Sequence, residues 1–295
     1  MRLTSHAAEV YAGEMKALTP QQVESYRYDG FLSPFAALTP DETASCLAGL
    51  ARFERFIGMP VPKADMHWRS LTHACLPFYA DLVRNPKILD VVEGLIGPDI
   101  LVWTSTFFIK EPNSPTFAAW HQDSTYFGLA PYEQVTAWVA LTDASQNAGC
   151  IEVLSAHGKP RQMRHVPKKL ANSINRTGQT ISEPLDDASA SAMPLKAGQF
   201  SLHHTLCVHR SAPNHTPHRR VGLGINYIPA HVRTTGSKRM PAMLVRGTDR
   251  YGHFDLYEPP AKELGEKELG IHDHVYNCYA ENYREQVKRH EEEFA

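Results

Sequence analysis

The first hundred residues read as helical segments, whereas from Ile100 onward the apolar positions gather in short β-branched and aromatic runs. Thr19-Pro20 followed by Gln21-Gln22-Val23-Glu24 predicts an N-cap with proline at the first helical position. Thr39-Pro40-Asp41-Glu42 repeats that signature and opens a helix to about Phe56, with Gly30 and Gly58 as stops. A third helix is expected over 85–96, ended by Gly97-Pro98. Ile100–Ile109 (ILVWTSTFFI) then predicts a strand. Thr136–Leu141, Cys150–Leu154, Gln199–Leu202 and Arg220–Ile228 predict further strands, separated by turns such as Asn147-Ala148-Gly149 and Ala212-Pro213-Asn214.

Short strands without alternating helices predict a mainly β chain, a sandwich or jelly roll, with helices packed at its N-terminal side. Residues 160–192 are polar and poorly periodic, an exposed excursion or a loop covering the site. Residues 230–260 read as irregular, and the end from about Ile271 as a charged helix or frayed tail. No internal repeat or clean boundary divides the chain. The expectation is one domain, with a mainly helical part at 1–98, a jelly-roll core at 99–230 and a closing segment at 231–295.

Composition narrows the function classes. The 295 residues are 42% apolar and 21% charged with net charge −2, which makes no electrostatic case for nucleic acid or an anionic membrane. Five scattered cysteines, never in a C-x-x-C pair, argue against a disulfide framework or a cysteine zinc site and suit a reducing compartment. Met1-Arg2-Leu3-Thr4-Ser5-His6 is not followed by an apolar signal core, and no run approaches a membrane span, so a cytoplasmic location is expected. Nothing signals an obligate protein partner. With 16 histidines, spacing must decide which of them carry chemistry.

His121-Gln122-Asp123 is the spacing that stands out. On an extended segment a histidine and a carboxylate two apart point to one side. With His209 they make two imidazoles and one carboxylate, the set that leaves three positions open in non-haem Fe(II) oxygenases. In a jelly roll the first two would end one strand, and His209 would come from the far half of the double sheet. The plain alternative is polar residues in surface loops. Against it, Trp120 and Tyr126-Phe127 flank the motif with groups that prefer burial, and Leu206-Cys207-Val208 makes the approach to His209 apolar. His209 alone would also suit a buried histidine paired with a backbone carbonyl.

Alternation along RVGLGINYI puts Arg220, Gly222, Gly224 and Asn226 on one face, with glycines that leave room for a ligand. A guanidinium binds carboxylate as a fork, so a 2-oxo acid could chelate the metal and place its far carboxylate on Arg220. Arg219 suits a solvated arginine better. Ser211, two residues past His209, could add a hydrogen bond.

Trp120-His121-Gln122-Asp123 with Tyr126, Ala137-Trp138-Val139-Ala140-Leu141, Asn147-Ala148-Gly149-Cys150, and His209-x-Ser211-x-x-Asn214 followed by Arg220 resemble the phytanoyl-CoA dioxygenase family of Fe(II)/2-oxoglutarate oxygenases. The resemblance covers about residues 20–230, with its specific motifs between 100 and 230. It implies a cupin-like double-stranded β-helix with N-terminal helices, and iron on His121, Asp123 and His209. It further implies 2-oxoglutarate with its C5 carboxylate on Arg220 and Ser211, in a pocket lined by Gln122, Trp138 and Thr106. O₂ would be the second co-substrate, and hydroxylation would release succinate and CO₂. Ser155-Ala156-His157 departs from the family's Pro-Gly-Ser-His and puts that local turn in doubt. Related halogenases acting on carrier-bound amino acids carry a small residue in place of the metal aspartate, so Asp123 favours hydroxylation over halogenation.

For the substrate, Lys110 shares a face with Thr106 and Phe108 and could meet an anionic group, with Tyr126 nearby; a strand-end lysine is otherwise simply solvated. Arg161, Arg164, His165 and Arg176 in the covering loop, with Arg233 and Arg246 later, suit an anionic ligand or a solvated surface equally. The expected substrate is a small polar or anionic metabolite of carboxylate, amino acid or phosphonate type. The alternatives are an acyl-CoA or carrier-bound substrate, a non-redox cupin-like metal- or sugar-binding module, and a zinc hydrolase on the same three ligands.

Overall fold

In the computed structural model, which describes residues 17–167, 170–174 and 179–293, helix ends fall where the caps direct them. The chain start at Met1–His6 and Arg176 lie outside the described residues. Thr19 and Thr39 each close a capping box, with Gln22 and Glu42, at the heads of α1 (Pro20–Asp29) and α2 (Pro40–Ile57). Gly30 and Gly58 end them in the left-handed conformation. Between these helices, β1 (Phe31–Ala36) is a strand inside the part read as helical. Short α3 (Met66–Arg69), α4 (Pro77–Val83) and α5 (Pro86–Ile96) follow, the last capped by Asn85.

The strands then run β2 (Ile100–Lys110), β3 (Ala118–His121), β4 (Leu129–Ala130), β5 (Val135–Ala140), β6 (Ile151–Leu154), β7 (His165–Pro167), β8 (Gln179–Ile181) and β9 (Ser191–Met193). They continue as β10 (Gln199–His204), β11 (Val208–Ser211), β12 (Arg220–Pro229), β13 (Arg233–Thr234), β14 (Met240–Arg246) and β15 (Phe254–Leu256). Seven form one sheet in the order β1-β10-β5-β12-β2-β14-β15, and four form a second in the order β3-β11-β6-β9. The fold is a double-stranded β-helix with flanking helices, as the strand pattern predicts. After residue 230 the chain is less irregular than it reads. β14 joins the large sheet antiparallel to β2, and a long helix, α6 (Glu266–Glu293), starts before Ile271.

Period-two alternation divides the large sheet into a packing face and a chemical face. Val221, Leu223 and Ile225 of β12, Val135, Ala137 and Val139 of β5, and Phe200 and Leu202 of β10 join one core with Leu50, Phe53, Leu82, Val83, Ile88 and Val92 of the helices. The opposite face looks at the small sheet. The β2–β12 register shifts between Asn226 and Tyr227. This irregularity resets the parity of β2, so Val102 and Phe107 both reach the helical core while Thr104, Thr106 and Phe108 turn inward. Trp138, Ile151, Val153 and Met193 hold the two sheets together at one end.

Gly222 matters to this arrangement, though not as open space for a ligand. A Cβ there would lie 1.9 Å from Trp138 Cζ2, so the missing side chain is filled by the indole. One at Gly224 would meet the Phe108 ring at 2.8 Å. Gly222→Ala is expected to cost about 1–3 kcal/mol by overpacking, read as a lower urea midpoint. An unchanged midpoint would show that the indole has another place to go.

Candidate metal and oxo-acid site

Between the sheets lies a cavity of ≈ 390 Å³. The small sheet contributes Ala118, His121, Ile151, His209 and Ser211, and the large sheet Thr104, Thr106, Phe108, Thr136, Trp138, His203, Arg220 and Asn226. His121 and His209 do not come from opposite halves of the double sheet, as the sequence suggests. They face each other across adjacent strands, His209 on β11 directly opposite His121 on β3, with ring centroids 4.1 Å apart.

Gln122 is extended (φ −121°, ψ 140°), so Asp123 returns to the side of His121 although it already begins a 3₁₀ turn. Asp123 Oδ1 lies 3.9 Å from His121 Nε2 and 3.7 Å from His209 Nε2. His121 Nδ1 lies 2.8 Å from the Ala119 carbonyl and His209 Nδ1 3.0 Å from that of Cys207. A carbonyl can only accept, so each Nδ1 carries the hydrogen and each Nε2 keeps its lone pair for the shared space. The other carboxylate oxygen, Oδ2, accepts from Thr136 Oγ1 at 2.7 Å and Asn226 Nδ2 at 3.5 Å, with His203 Nε2 at 3.3 Å. Asn226 also donates to Thr136 at 2.6 Å, so the large sheet grips the aspartate that follows β3 of the small one.

Charge follows from this crowding. Burial, then the neighbouring His121 and His203, hold His209 well below the ordinary imidazole value, and burial lowers His121 as well. Burial alone would raise Asp123, but His209, His203 and His121 outweigh it and leave the carboxyl far below its usual range. Two neutral nitrogens and one carboxylate oxygen converge, and this donor set fits a divalent transition ion with open positions.

Arg220 lines the same cavity as the donor set. It is fully buried, and burial brings its pKa down only to about 10, so it is a cation at neutral pH. Its Nη1 donates to the Gly149 carbonyl at 2.5 Å and Nη2 to that of Phe108 at 3.2 Å, while Nε makes no hydrogen bond. The guanidinium lies 5.0 Å over the Trp138 ring, and among the described residues no carboxylate forms a salt bridge with it. A buried cation without a counter-ion is costly, and an anionic ligand in the same cavity would offset that cost.

Three residues expected at this site are placed elsewhere. Gln122 points away from the cavity, by the same alternation that pairs His121 with Asp123. Its amide donates to the Leu206 and Arg161 carbonyls and accepts from Met163 N–H, so it anchors the covering segment. Tyr126 is buried beneath α6 against Tyr283 and His290 and does not line the cavity. Lys110 is neither solvated nor open to substrate. It is 0% exposed, donating to Ser211 Oγ at 2.8 Å and to the Ala212 carbonyl. Burial, then the Arg220 charge, bring its amine down to about 6.

Of the other basic candidates, Arg161 pairs with Glu183 and Arg246 with Asp90 and Glu93. His165 is buried and accepts from Gln122 N–H, and Arg219 pairs with Glu54 and Glu111. None of these lines the cavity. The wall that sequence reasoning missed is α6. Its Tyr276, Tyr279, Ala280, Tyr283 and Arg284, at helical i, i+3, i+4, i+7 and i+8 spacing, face the cavity beside Met66 and Arg69.

Residues 26–222 match the family model described as phytanoyl-CoA dioxygenase. The probable alpha-ketoglutarate-dependent hypophosphite dioxygenase of Stutzerimonas stutzeri is 30% identical over 152 residues, 50% of this chain and 52% of that protein. Peroxisomal phytanoyl-CoA dioxygenase of Homo sapiens is 27% identical over 149 residues, 49% of this chain and 44% of that protein. The chain thus spans about half the length of these curated relatives. Among solved structures, the non-heme monooxygenase ThoJ in its apo form superposes with a TM-score of 0.80 at 30% identity, covering 90% of this chain and 99% of that one. CytC3 with Fe(II) and alpha-ketoglutarate shares the fold, with a TM-score of 0.58 at 20% identity over 84% and 95% of the two chains.

Two outcomes test this geometry. Thr136→Val removes the shortest hydrogen bond to Asp123 and is expected to weaken divalent metal binding about 10- to 100-fold in a direct titration, with folding intact. Lys110 predicts a pH dependence. Below about pH 6 the folded and unfolded chains both hold its proton; above it the folded chain releases the proton while the unfolded chain keeps it to about 10.4. Unfolding then takes up a proton, so stability contributed by this group rises from pH 6 by up to about 1.4 kcal/mol per pH unit. In urea unfolding without added ligand, Lys110→Met should flatten that slope; equal slopes would mean that the amine stays charged.

Proposed function

The chain belongs to the phytanoyl-CoA dioxygenase family of Fe(II)/2-oxoglutarate-dependent oxygenases, and on that premise we propose that it hydroxylates a C–H bond of a small anionic molecule, releasing succinate and CO₂. One observation carries the reading: a convergent His121–Asp123–His209 donor set and a buried, uncompensated Arg220 line the same cavity. Bound Fe(II) together with 2-oxoglutarate and O₂ supplies the oxidising power.

In this reading the residues of the chain bind and orient. His121, Asp123 and His209 hold the metal, with Thr136, Asn226 and His203 fixing the carboxylate that completes the set. Arg220 and Ser211 take the far carboxylate of the oxo acid, and Lys110 holds the Ser211 hydroxyl from behind. Trp138, Thr106 and Phe108 flank it and keep water away from the guanidinium.

Charge and shape of the remaining space support the substrate class. Four arginines, Arg69, Arg210, Arg220 and Arg284, line the cavity against a single acidic side chain, Asp123, and of these Arg210 is already paired with Glu152 and Asp187 outside the lining. Tyr276, Tyr279, Tyr283, Phe127, Met66 and Ile174 add apolar surface above the donor set, so the favoured molecule has a compact, apolar or ring-shaped body carrying an anionic group. At ≈ 390 Å³ the cavity is at the small end for ligand pockets, which favours a small metabolite over a fully enclosed acyl-CoA.

The test is spectroscopic and then catalytic. Anaerobic addition of Fe(II) and 2-oxoglutarate should give a visible charge-transfer band, absent in Asp123→Ala and His209→Ala. Arg220→Met should raise the 2-oxoglutarate requirement roughly 10- to 100-fold, the weight of a charge-assisted hydrogen bond. Succinate formation should be stimulated by small carboxylates with apolar bodies. Absence of the band in folded, iron-loaded protein, or activity that persists with zinc in the absence of oxygen, would overturn the oxygenase reading.

A further inference from the structure

A second group of two histidines and a carboxylate lies outside the cavity. His67 on α3 and the adjacent His272 and Asp273 on α6 bring one ring nitrogen each and one carboxylate oxygen within 4.8 Å of one another. His67 Nε2 meets Asp273 Oδ1 at 2.6 Å. The two imidazoles are 4.6 Å apart by centroid, and His67 is held in place by Trp68 at 4.4 Å and Tyr276 at 4.9 Å.

His272 is the unexplained member. It is 0% exposed, and its Nε2 lies 3.0 Å from the Ser70 carbonyl, which puts the ring hydrogen on Nε2 and the lone pair on Nδ1. That buried Nδ1 makes no hydrogen bond. A buried acceptor left unpaired costs free energy that a bound cation would offset. The other two ligands are accessible, with His67 side chain 24% and Asp273 58% exposed, which gives an ion an entry path and room for a water.

We propose that His67, His272 and Asp273 form a second divalent metal site, of the zinc type, that joins α3 to α6. Two imidazoles and one carboxylate with a water suit a tetrahedral borderline ion, and disfavour calcium or magnesium, which take oxygen ligands. The ion replaces the His67–Asp273 hydrogen bond by two bonds to one centre and gives His272 its missing partner. Both helices line the cavity, α3 with Met66 and Arg69 and α6 with its tyrosines, so the ion staples the roof to the wall next to the oxygenase centre without belonging to it.

The experiment uses the full chain with the first donor set removed. Metal-stripped Asp123→Ala/His209→Ala protein is titrated with zinc chloride by calorimetry, with thermal unfolding in parallel. The expected result is one zinc per chain and a raised Tm, both lost when His67→Ala or Asp273→Ala is added. Asp273 is exposed on a helix, so its alanine variant keeps the fold, which circular dichroism checks. No stoichiometric zinc in the Asp123→Ala/His209→Ala protein, or zinc binding that survives Asp273→Ala together with His67→Ala, would overturn the proposal. Loss of oxygenase activity is not a readout here, so failure of this site and failure of the proposed reaction remain distinct.

Discussion

The register between β3 and β11 is the constraint on which the chemical face of this protein depends. His209 sits opposite His121, so two imidazoles on neighbouring strands share one face at the close spacing of a cross-strand pair. A slip of one residue would turn every side chain of one strand to the other surface and leave a lone histidine. Register alone does not complete the donor set. Asp123 follows β3 of the small sheet in a 3₁₀ turn, and its second oxygen is gripped by Thr136 and Asn226 of the large sheet. The distance between the sheets is therefore part of the site, and the apolar contacts of Trp138, Ile151, Val153 and Met193 maintain it.

The same cavity manages its positive charge by unequal burial. Burial and the nearby Arg220 charge disfavour the proton of Lys110, whereas Arg220, lowered by burial alone, keeps its charge where an amine gives it up. The result is one fixed cation facing the cavity and one amine behind Ser211 that holds a hydroxyl in place. The guanidinium gives the cavity a positive charge next to the donor set. A chelating oxo acid would satisfy the donor set and the guanidinium together, which explains why the two features occur in one space.

Much of this was legible because the signals are local. Thr-Pro caps and αL glycines are chemistry within four residues, and α1 and α2 begin and end at them. Alternation along β12 correctly put Arg220 and Asn226 on one face, and alternation along β5 would have added Thr136 to Trp138. Periodicity names a face but not what that face meets. Gln122 sits in the His-x-Asp motif yet alternates away from His121 towards the Leu206 carbonyl, and Lys110 shares the expected face yet ends its reach at Ser211. The glycines of β12 suggest space for a ligand, but rings from β5 and β2 already fill it. α6 escaped because its tyrosines are a minority on a highly charged helix, and only its packing against the 3₁₀ turn at Asp123–Tyr126 turns them inward.

The family match ends at residue 222, and α6 begins at Glu266. The donor set, its second-oxygen partners from β5 and the oxo-acid cradle fall within or at the edge of the matched span, while the three tyrosines and Arg284 fall beyond it. The α6 part of the cavity wall thus lies outside the matched span, whereas Met66, Arg69, Phe127 and Ile174 of the same wall lie within it. The roof is nonetheless built in firmly. Asn282 donates to the Phe127 carbonyl, Gln286 packs on Gly128 where any side chain would clash at 2.3 Å, and His290 accepts from His165 N–H, whose ring in turn accepts from Gln122 N–H. That chain of contacts runs from the far end of α6 to the residue between the two ligands of the His-x-Asp motif. The helix that walls the cavity therefore also helps hold the extended conformation at Gln122, without which His121 and Asp123 would not point the same way.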